Sequence, residues 1–432
     1  MPRPVRIVHL GLGGFFRAHQ AWYTGAAPDA DEWGIAAFTG RSRTLADELT
    51  AQGGRYTLVV RGPEQDELTV QRALSAAYPG DDGDAWCRHL ASQQTAVVTL
   101  TVTEAAYLRT RDGGLDLDHP DVQSDLAALR RGQGASTVPG RLVAGLSARR
   151  AAGAGPLAVV SCDNLPGNGT AVARVVADLA EAADPALVNW IRDGVSFVTT
   201  MVDRITPRTT PEDVRLVAAR SGWYDAVPVV TEPFSEWVLA GDFPAGRPGW
   251  EAAGARFVAD VHPHELRKLL LLNGGHTLLA YAGALRGHET IAEAVGDPVC
   301  RAWLESWWDE AARHVPLPAE ELTRYRAALL RRFSNLRIRH RLAQVAADGS
   351  QKVPIRVVPV VRAERAAGRL PGGAVRILAG WIAHLRGHGV PVDDAGAAPY
   401  RDRAGSPRAV LGLLAPDLAG DETLVDAVSA AL

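Results

Sequence analysis

Short, nearly continuous apolar runs recur through the first half of the chain. They occupy Val5–Leu10 and residues 33–38, 96–102 and 157–162, and they are rich in aliphatic and β-branched residues. Runs of this length and composition are typical of parallel strands that are buried on both faces of a sheet. Stretches with helical spacing separate them, so we predict an α/β domain over residues 1–260.

From about residue 262 the pattern becomes helical. Residues 298–313 and Ala319–Phe333 form long helical stretches, and no clear strand alternation is evident in this half. We therefore predict a second, mainly α-helical domain over residues 261–432.

A glycine-rich turn follows the first predicted strand. Its sequence is Gly11-Leu12-Gly13-Gly14-Phe15-Phe16-Arg17, and a helix-like stretch comes next. Strand, glycine turn and helix are the context of a dinucleotide-binding fingerprint, because glycines let backbone N–H groups approach a pyrophosphate. The third glycine of the fingerprint is missing, so a plain β-turn-α connection remains an alternative. If the fingerprint holds, the domain is of Rossmann type and binds NAD or NADP, with contacts at Gly11, Gly13, Phe15, Phe16 and Arg17.

Small and polar residues follow the later strands. Thr103 and Glu104 follow the run at 96–102, and Asp163-Asn164 follows the run at 157–162. Ligands bind beyond the carboxyl ends of parallel strands, so we assign Thr103, Glu104 and Asn164 to the cofactor site, with simple turn chemistry as the alternative.

The second strand ends in Thr39-Gly40-Arg41-Ser42-Arg43. It lacks the acidic residue that accepts the adenosine ribose hydroxyl of NAD. Arg41 and Arg43 either face a 2′-phosphate or belong to a solvated loop.

Four polar residues interrupt the apolar run ELRKLLLLNGGH at residues 265–276. At α-helical spacing Glu265, Lys268, Asn273 and His276 fall within an arc of roughly 140°. Polar groups that converge in an apolar stretch bond to one another, face a cleft or act on a ligand. Desolvation lowers the pKa of a lysine, which makes Lys268 a candidate proton acceptor. The alternative is a core helix whose lysine extends to solvent.

Composition limits the classes of partner. The net charge of −3 and the lack of a basic tail give no electrostatic case for nucleic acid, and no apolar run reaches the ~20 residues that span a bilayer. We therefore expect a small-molecule partner and a monomer or small homo-oligomer. The three cysteines are widely spaced without a CxxC pair, so we predict neither a disulfide framework nor a cysteine-based zinc site, and a cytoplasmic location.

The chain resembles the polyol-specific long-chain dehydrogenases, the mannitol dehydrogenase family. The resemblance spans nearly the whole sequence and is carried by HLGLGGFFRAHQAWYT, TLTVTEAAY, SCDNLPGNG, TMVDRITP, KLLLLNGGHTLLAY and RFSNLRIRHRLAQVAADGSQKVP. It implies an N-terminal Rossmann-type domain that binds NAD(P) and a helical C-terminal domain that supplies most catalytic residues, without a metal. This chain departs from the family pattern at Phe16, where a histidine is usual, and at Leu336, where a proline is usual.

The resemblance also implies roles for individual residues. Lys268 is similar to the general base, Asn164 and Asn273 to the pair that stabilises the alkoxide, and His276 to a group that orients the substrate. By the same resemblance, Glu265 is similar to a proton-relay glutamate. Asp203 and Lys352 are similar to residues that contact the substrate.

The basic stretch Arg337-Ile338-Arg339-His340-Arg341 bears on the substrate. Together with DGSQK at residues 348–352, it resembles the fructuronate reductase (D-mannonate oxidoreductase) branch more than the mannitol 2-dehydrogenase branch. A sugar acid carries a carboxylate, which arginine binds bidentately, so we expect Arg339, His340 and Lys352 to contact substrate. The expected reaction is NAD-dependent interconversion of D-fructuronate and D-mannonate. A polyol dehydrogenase is the alternative, and a nucleotide sensor without catalysis is a more remote one.

Overall fold

The computed structural model describes residues 3–40 and 42–432, and it divides into two compact units, Met1–His262 and Pro263–Leu432. The first unit is α/β and the second is almost wholly helical, which confirms the predicted fold class. None of the described helices is long and apolar enough to cross a lipid bilayer.

Eleven strands are described in the first unit. They are β1 (Val5–Leu10), β2 (Gly34–Phe38), β3 (Tyr56–Arg61), β4 (Asp66–Gln71), β5 (Leu74–Tyr78), β6 (Val97–Leu100), β7 (Leu157–Ser161), β8 (Val195–Asp203), β9 (Val229–Thr231), β10 (Glu236–Ala240) and β11 (Arg256–Phe257). The helices of this unit are α1 (Gly14–Ala18), α2 (Gln20–Ala26), α3 (Thr44–Ala51), α4 (Gly83–Leu90), α5 (Pro120–Arg130), α6 (Val138–Ala151), α7 (Asn168–Ala183), α8 (Pro185–Gly194) and α9 (Pro211–Ser221). Short 3-10 turns occur at Ala30–Glu32, Glu104–Tyr107 and Trp250–Ala253.

The main sheet has eight strands in the order β11-β10-β8-β7-β6-β1-β2-β5. The strands from β5 to β8 are all parallel, whereas β10 runs antiparallel to β8. The parallel part has the order 3-2-1-4-5-6 of a dinucleotide-binding fold, whose switch point lies between β1 and β6. A separate three-stranded sheet has the order β4-β3-β9.

Both faces of the parallel strands are buried. Alternate residues enter two apolar clusters, one containing Ile7, Ile35 and Val97 and the other containing Val8, Ala36 and Val98. Helices α4, α6 and α7 contribute to the second cluster, while Tyr56 and Leu58 of the small sheet join the first. Burial on both faces explains why these strands read as continuous apolar runs rather than as an alternating pattern.

The second unit is built around one long, buried, irregular helix. Its parts are α10 (His262–Arg267), a π-helical segment (Lys268–Asn273), α11 (Gly274–Leu278) and a second π-helical segment (Leu279–Gly283). Further helices surround it: α12 (Ile291–Gly296), α13 (Pro298–Ala312), α14 (Ala319–Phe333), α15 (Leu342–Ala346), α16 (Gly349–Arg356), α17 (Val358–Ala366), α18 (Gly372–Leu385), α19 (Ala398–Arg401), α20 (Pro407–Leu414) and α21 (Glu422–Ala430), with a 3-10 turn at Leu418–Gly420.

Candidate active site

The glycine turn after β1 has a conformation that demands glycine. Gly11 has a φ of +111°, and a Cβ atom at this position would lie 2.1 Å from the carbonyl oxygen of Thr101. The N–H groups of Gly11 and Leu12 both donate to the carbonyl of Phe38 at the end of β2, at 2.9 and 2.8 Å. The turn is therefore fixed between β1, β2 and the end of β6, at the switch point of the sheet.

The side chains of Phe16 and Arg17 lie in the core of the first unit. Phe16 is fully buried and stacks on His9 with ring centroids 3.5 Å apart. Arg17 donates from Nε to the carbonyl of Gly13 at 3.2 Å and from Nη1 to that of Val227. Its backbone N–H also bonds to Gly13. These donors are used within the unit and the Phe16 side chain has a packing role, while the contact of Arg17 with a cofactor stays a prediction. Phe15 is half-buried on the same helix.

A hydrogen-bond network joins the loops that follow β6 and β7. Thr103 and Glu104 are exposed at the start of the 3-10 turn that ends in Tyr107. The Tyr107 hydroxyl bonds to the Asp163 carboxylate and lies 2.7 Å from Ser161 Oγ, while Asp163 Oδ1 accepts the N–H of Leu165 at 2.9 Å. Burial and the neighbouring carboxylate raise the pKa of Tyr107, which keeps it a neutral donor.

The hydrogen bonds of Asp163 position Asn164, the next residue. A second set of hydrogen bonds supports the end of β8. Asn164 is exposed directly after Asp163. Asp203 is buried as the last residue of β8. Arg204, the next residue, donates to the carbonyls of Ala18 at 2.5 Å and Glu232 at 3.1 Å, and burial lowers its pKa to about 10. Since β7 and β8 are parallel neighbours, Asn164 and Asp203 lie at the same edge of the sheet as the glycine turn.

The π-helical segment changes the arrangement expected for Lys268 and Asn273. In an α-helix, residues five apart point in directions roughly 140° apart. Hydrogen bonds from residue i to i+5 place such residues nearly above one another, and the N–H of Gly274 bonds in this way to Leu269. Lys268 and Asn273 are both half-buried. Around the helix axis, their side chains therefore point in directions that are much closer to each other than in an α-helix. Glu265, also half-buried, precedes Lys268 by three residues.

Two tryptophans of α13 stabilise this segment. The indole N–H groups of Trp307 and Trp308 donate to the carbonyls of Leu270 and Leu271, each at 2.9 Å. A Cβ atom on Gly274 would lie 2.5 Å from the ring of Trp307. The glycines after Asn273 thus allow α13 to pack closely against this helix, where a larger side chain would clash.

His276 is a neutral, almost fully buried side chain, 8% exposed. Its ring stacks on Phe333 at 4.6 Å and meets the half-buried His340 edge to face at 5.1 Å. Burial lowers the pKa of His276 well below 6.5, and the charges of His340, Arg332 and Arg356 lower it further. Nε2 is buried and has no hydrogen-bond partner among the residues that the structure describes.

The predicted substrate contacts differ in their surroundings. Lys352 is half-buried, and its Nζ donates to the carbonyls of Ala347 at 2.5 Å and Val345 at 3.3 Å. Burial lowers the pKa of Lys352, and the charge of Arg356 lowers it further. Arg339 is exposed, and its contact with substrate stays a prediction. Residue Ile338 takes the buried position in that stretch instead.

Sequence reasoning missed Arg356. It is half-buried at the end of α16, one turn after Lys352, and donates from Nη1 to Thr277 Oγ1 at 3.1 Å and to the carbonyl of Asn273 at 3.4 Å. Arg356 follows Lys352 by four residues, a spacing that places both side chains on one face of a helix. Pro354 between them argues against a helix in the sequence, so this spacing was not used.

The lysine content of the chain gives a further signal. Lys268 and Lys352 are its two lysines, and the rest of its 46 basic residues are arginines. Arginine stays charged at any ordinary pH, whereas a lysine can lose its proton when buried. Both lysines of the chain are therefore among the predicted site residues.

Comparison with known proteins identifies the family of the chain. A family model for the mannitol dehydrogenase Rossmann domain matches residues 5–252, and one for the mannitol dehydrogenase C-terminal domain matches residues 260–412. D-mannonate oxidoreductase of Escherichia coli (strain K12) is 38% identical over 99% of this chain and 92% of its own length. Mannitol 2-dehydrogenase of Cereibacter sphaeroides is 36% identical over 92% of this chain and 85% of its own.

Two solved structures are similar over nearly the full length. Substrate-free D-sorbitol dehydrogenase has a TM-score of 0.91 at 30% identity, covering 99% of this chain and 92% of its own. The ternary complex of Pseudomonas fluorescens mannitol 2-dehydrogenase with NAD and D-mannitol has a TM-score of 0.83 at 34% identity, covering 100% of this chain and 91% of its own. The predicted family is thus confirmed: the chain belongs to the mannitol dehydrogenase family and is an oxidoreductase that acts on a secondary alcohol of a polyol or sugar acid.

Proposed function

We propose that the protein interconverts D-fructuronate and D-mannonate with NAD(H). The observation that carries the proposal is the pair of half-buried cations, Lys352 and Arg356, in a chain that is similar over nearly its whole length to a D-mannonate oxidoreductase. A sugar acid supplies a carboxylate for such cations. With a neutral polyol, these two cations would have only carbonyl and hydroxyl oxygens as acceptors, which are weaker partners than a carboxylate.

NAD(H) is the proposed cofactor. The glycine turn at the switch point fits a pyrophosphate, since a Cβ atom on Gly13 would meet no atom closer than the Gly11 carbonyl oxygen at 3.5 Å. When bound, NADH supplies the hydride for reduction. NADP is the alternative because no acidic residue follows β2. Arg43 is exposed and pairs with Asp81 at 3.4 Å, and Arg41 lies outside the described residues.

Lys268 is the proposed proton-transfer group. Oxidation of an alcohol requires that the hydroxyl proton leave the oxygen as the hydride leaves its carbon, and a neutral amine accepts this proton. In reduction the lysine ammonium returns a proton to the oxygen of the former carbonyl. Glu265, three residues earlier, is the proposed relay that exchanges the proton with solvent.

Amide groups are the proposed stabilisers of the alkoxide. The side-chain N–H donors of Asn164 and Asn273 complement a negative oxygen, and one such donor contributes about 2.7–4 kcal/mol in comparable oxyanion sites. His276, which is neutral, and Asp203 are the proposed hydrogen-bonding partners of the remaining hydroxyl groups.

A substrate screen tests the proposal. Purified protein is assayed for oxidation of NADH and NADPH with D-fructuronate, D-tagaturonate and D-fructose. We expect the highest kcat/KM with NADH and D-fructuronate, at least about tenfold above D-fructose, since a lost charge-assisted hydrogen bond costs about 1.5–3 kcal/mol. A preference for D-fructose would place the protein with the mannitol 2-dehydrogenases, and cofactor binding without turnover would indicate a sensor.

A further inference from the structure

The guanidinium of Arg356 lacks a carboxylate partner in the helical unit. Among the described residues, acceptors are found only for Nη1, namely Thr277 Oγ1 at 3.1 Å and the Asn273 carbonyl at 3.4 Å. Nε is buried and, across residues 3–40 and 42–432, has no hydrogen-bond partner. Burial lowers the pKa of Arg356 to about 10, and no carboxylate opposes that effect. A buried donor without an acceptor is costly, so a ligand that accepts from it would be favoured.

Arg149 shows how a purely structural buried arginine is satisfied in the same chain. All three of its guanidinium nitrogens donate to backbone carbonyls, in five hydrogen bonds of 2.7–3.1 Å. Arg356 makes two hydrogen bonds from a single nitrogen, one to a backbone carbonyl and one to a threonine hydroxyl. Its Nε and Nη2 together form the edge of a guanidinium that a carboxylate accepts bidentately.

Two histidine nitrogens near Arg356 also lack partners. His276 Nε2 and His340 Nδ1 are buried, and neither bonds to any residue in the described part of the chain. The two rings lie 5.1 Å apart, and His276 precedes Thr277, the residue to which Arg356 donates. Three unpartnered polar groups in one neighbourhood match a ligand with several oxygen atoms better than they match a packed core.

The other cations of this region are less suited to a carboxylate. Lys352 lies four residues before Arg356 on α16, but its ammonium already donates to the carbonyls of Val345 and Ala347 at the end of α15. A cation is favourable at a helix C-terminus, so Lys352 has a structural partner. Arg339 is exposed to solvent. Of these three cations, Arg356 is therefore the half-buried one whose charge is least compensated.

We propose that Arg356 binds the carboxylate of the substrate and that His276 Nε2 bonds to a neighbouring hydroxyl. This inference rests on the proposed function, since it requires a sugar acid. In this proposal Arg356, rather than Arg339 as the sequence suggested, is the residue that distinguishes a sugar acid from a neutral polyol. Like charges four residues apart on a helix repel, and an anionic ligand relieves the repulsion between Lys352 and Arg356.

The test compares an acid with a neutral ketose in full-length variants. Steady-state kinetics with NADH are measured for the wild type, Arg356→Gln and Arg356→Lys, on D-fructuronate and D-fructose. Arg324→Gln is the matched control, because Arg324 is exposed on α14. We expect Arg356→Gln to lower kcat/KM for D-fructuronate about 10- to 100-fold, mainly through KM, and to change D-fructose less than about threefold. Arg356→Lys should recover part of the loss, and Arg324→Gln should change neither substrate.

The outcomes separate this inference from the proposed function. If the wild type prefers D-fructose, the proposed substrate is wrong and the carboxylate role of Arg356 falls with it. If the wild type prefers D-fructuronate but Arg356→Gln affects both substrates equally or neither, the proposed function stands and the inference is overturned. Binding of D-mannonate to the wild type and to Arg356→Lys in the presence of NADH, with which D-mannonate cannot react, is measured by calorimetry and gives a second answer should the glutamine variant not fold. Equal affinities there would also overturn the inference.

Discussion

Replacement of Lys268 is expected to stop proton transfer without disturbing the fold. Lys268 is half-buried at the start of the π-helical segment, and the indoles of Trp307 and Trp308 hold the backbone there independently of its side chain. Lys268→Met keeps the length and the apolar stem and removes the ammonium. A positioned acid–base group contributes about 10²–10⁴-fold, which corresponds to about 2.7–5.5 kcal/mol in activation free energy. We therefore expect turnover to fall at least about 100-fold.

Lys268→Arg separates proton transfer from a simple effect of charge. Arginine retains the positive charge but does not release its proton at ordinary pH. If Lys268 transfers a proton, the arginine variant should be about as inactive as the methionine variant, and NADH binding should stay near that of the wild type. The assay is steady-state turnover on D-fructuronate, with NADH affinity from fluorescence titration. More than about 10% residual turnover in Lys268→Arg, or unchanged turnover in Lys268→Met, would refute the reasoning.

Further predictions concern pH, cofactor and substrate. In oxidation, log turnover should fall with unit slope towards low pH, because only a neutral amine accepts a proton, and this limb should vanish in Lys268→Met. His276 should add no limb near pH 6.5, since its pKa lies well below that value. NADH should be used better than NADPH, and Arg43→Asp should weaken NADPH use further; unchanged kinetics with both cofactors would make Arg43 a solvated loop residue. Lys352→Met should raise KM for D-fructuronate more than for D-fructose, whereas Arg339→Gln, at an exposed position, should change either by less than about twofold.

Helices and strands with a strong apolar pattern could be predicted from the sequence. Val5–Leu10, Leu157–Ser161 and Ala319–Phe333 lie where the patterns placed them, within a residue at each end. Continuous apolar runs indicate doubly buried strands, and the glycine turn after the first strand indicated the nucleotide-binding edge. The small sheet around Tyr56–Arg61 was missed although β3 is mostly buried, since its neighbour β4 is largely exposed and β9 has only three residues.

Side-chain directions in the second unit could not be predicted from periodicity. The run KLLLLN contains four consecutive leucines, which carry no phase information, so the change from α- to π-helical turns is invisible in the sequence. Two carbonyls of this segment accept hydrogen bonds from the indoles of residues 307 and 308, which lie far along the chain. In the basic stretch near residue 339, every second residue is charged, and only tertiary packing decides that Ile338 is buried and Arg339 is exposed.

Isotope transfer tests the central claim most directly. The protein is incubated with D-fructuronate and NADH that carries deuterium at the reactive face of the nicotinamide, and the product is identified by mass spectrometry against authentic D-mannonate. Direct hydride transfer predicts D-mannonate one mass unit heavier, with the deuterium on the new carbinol carbon. Unlabelled D-mannonate, or no product from D-fructuronate while D-fructose gives labelled mannitol, would contradict the account.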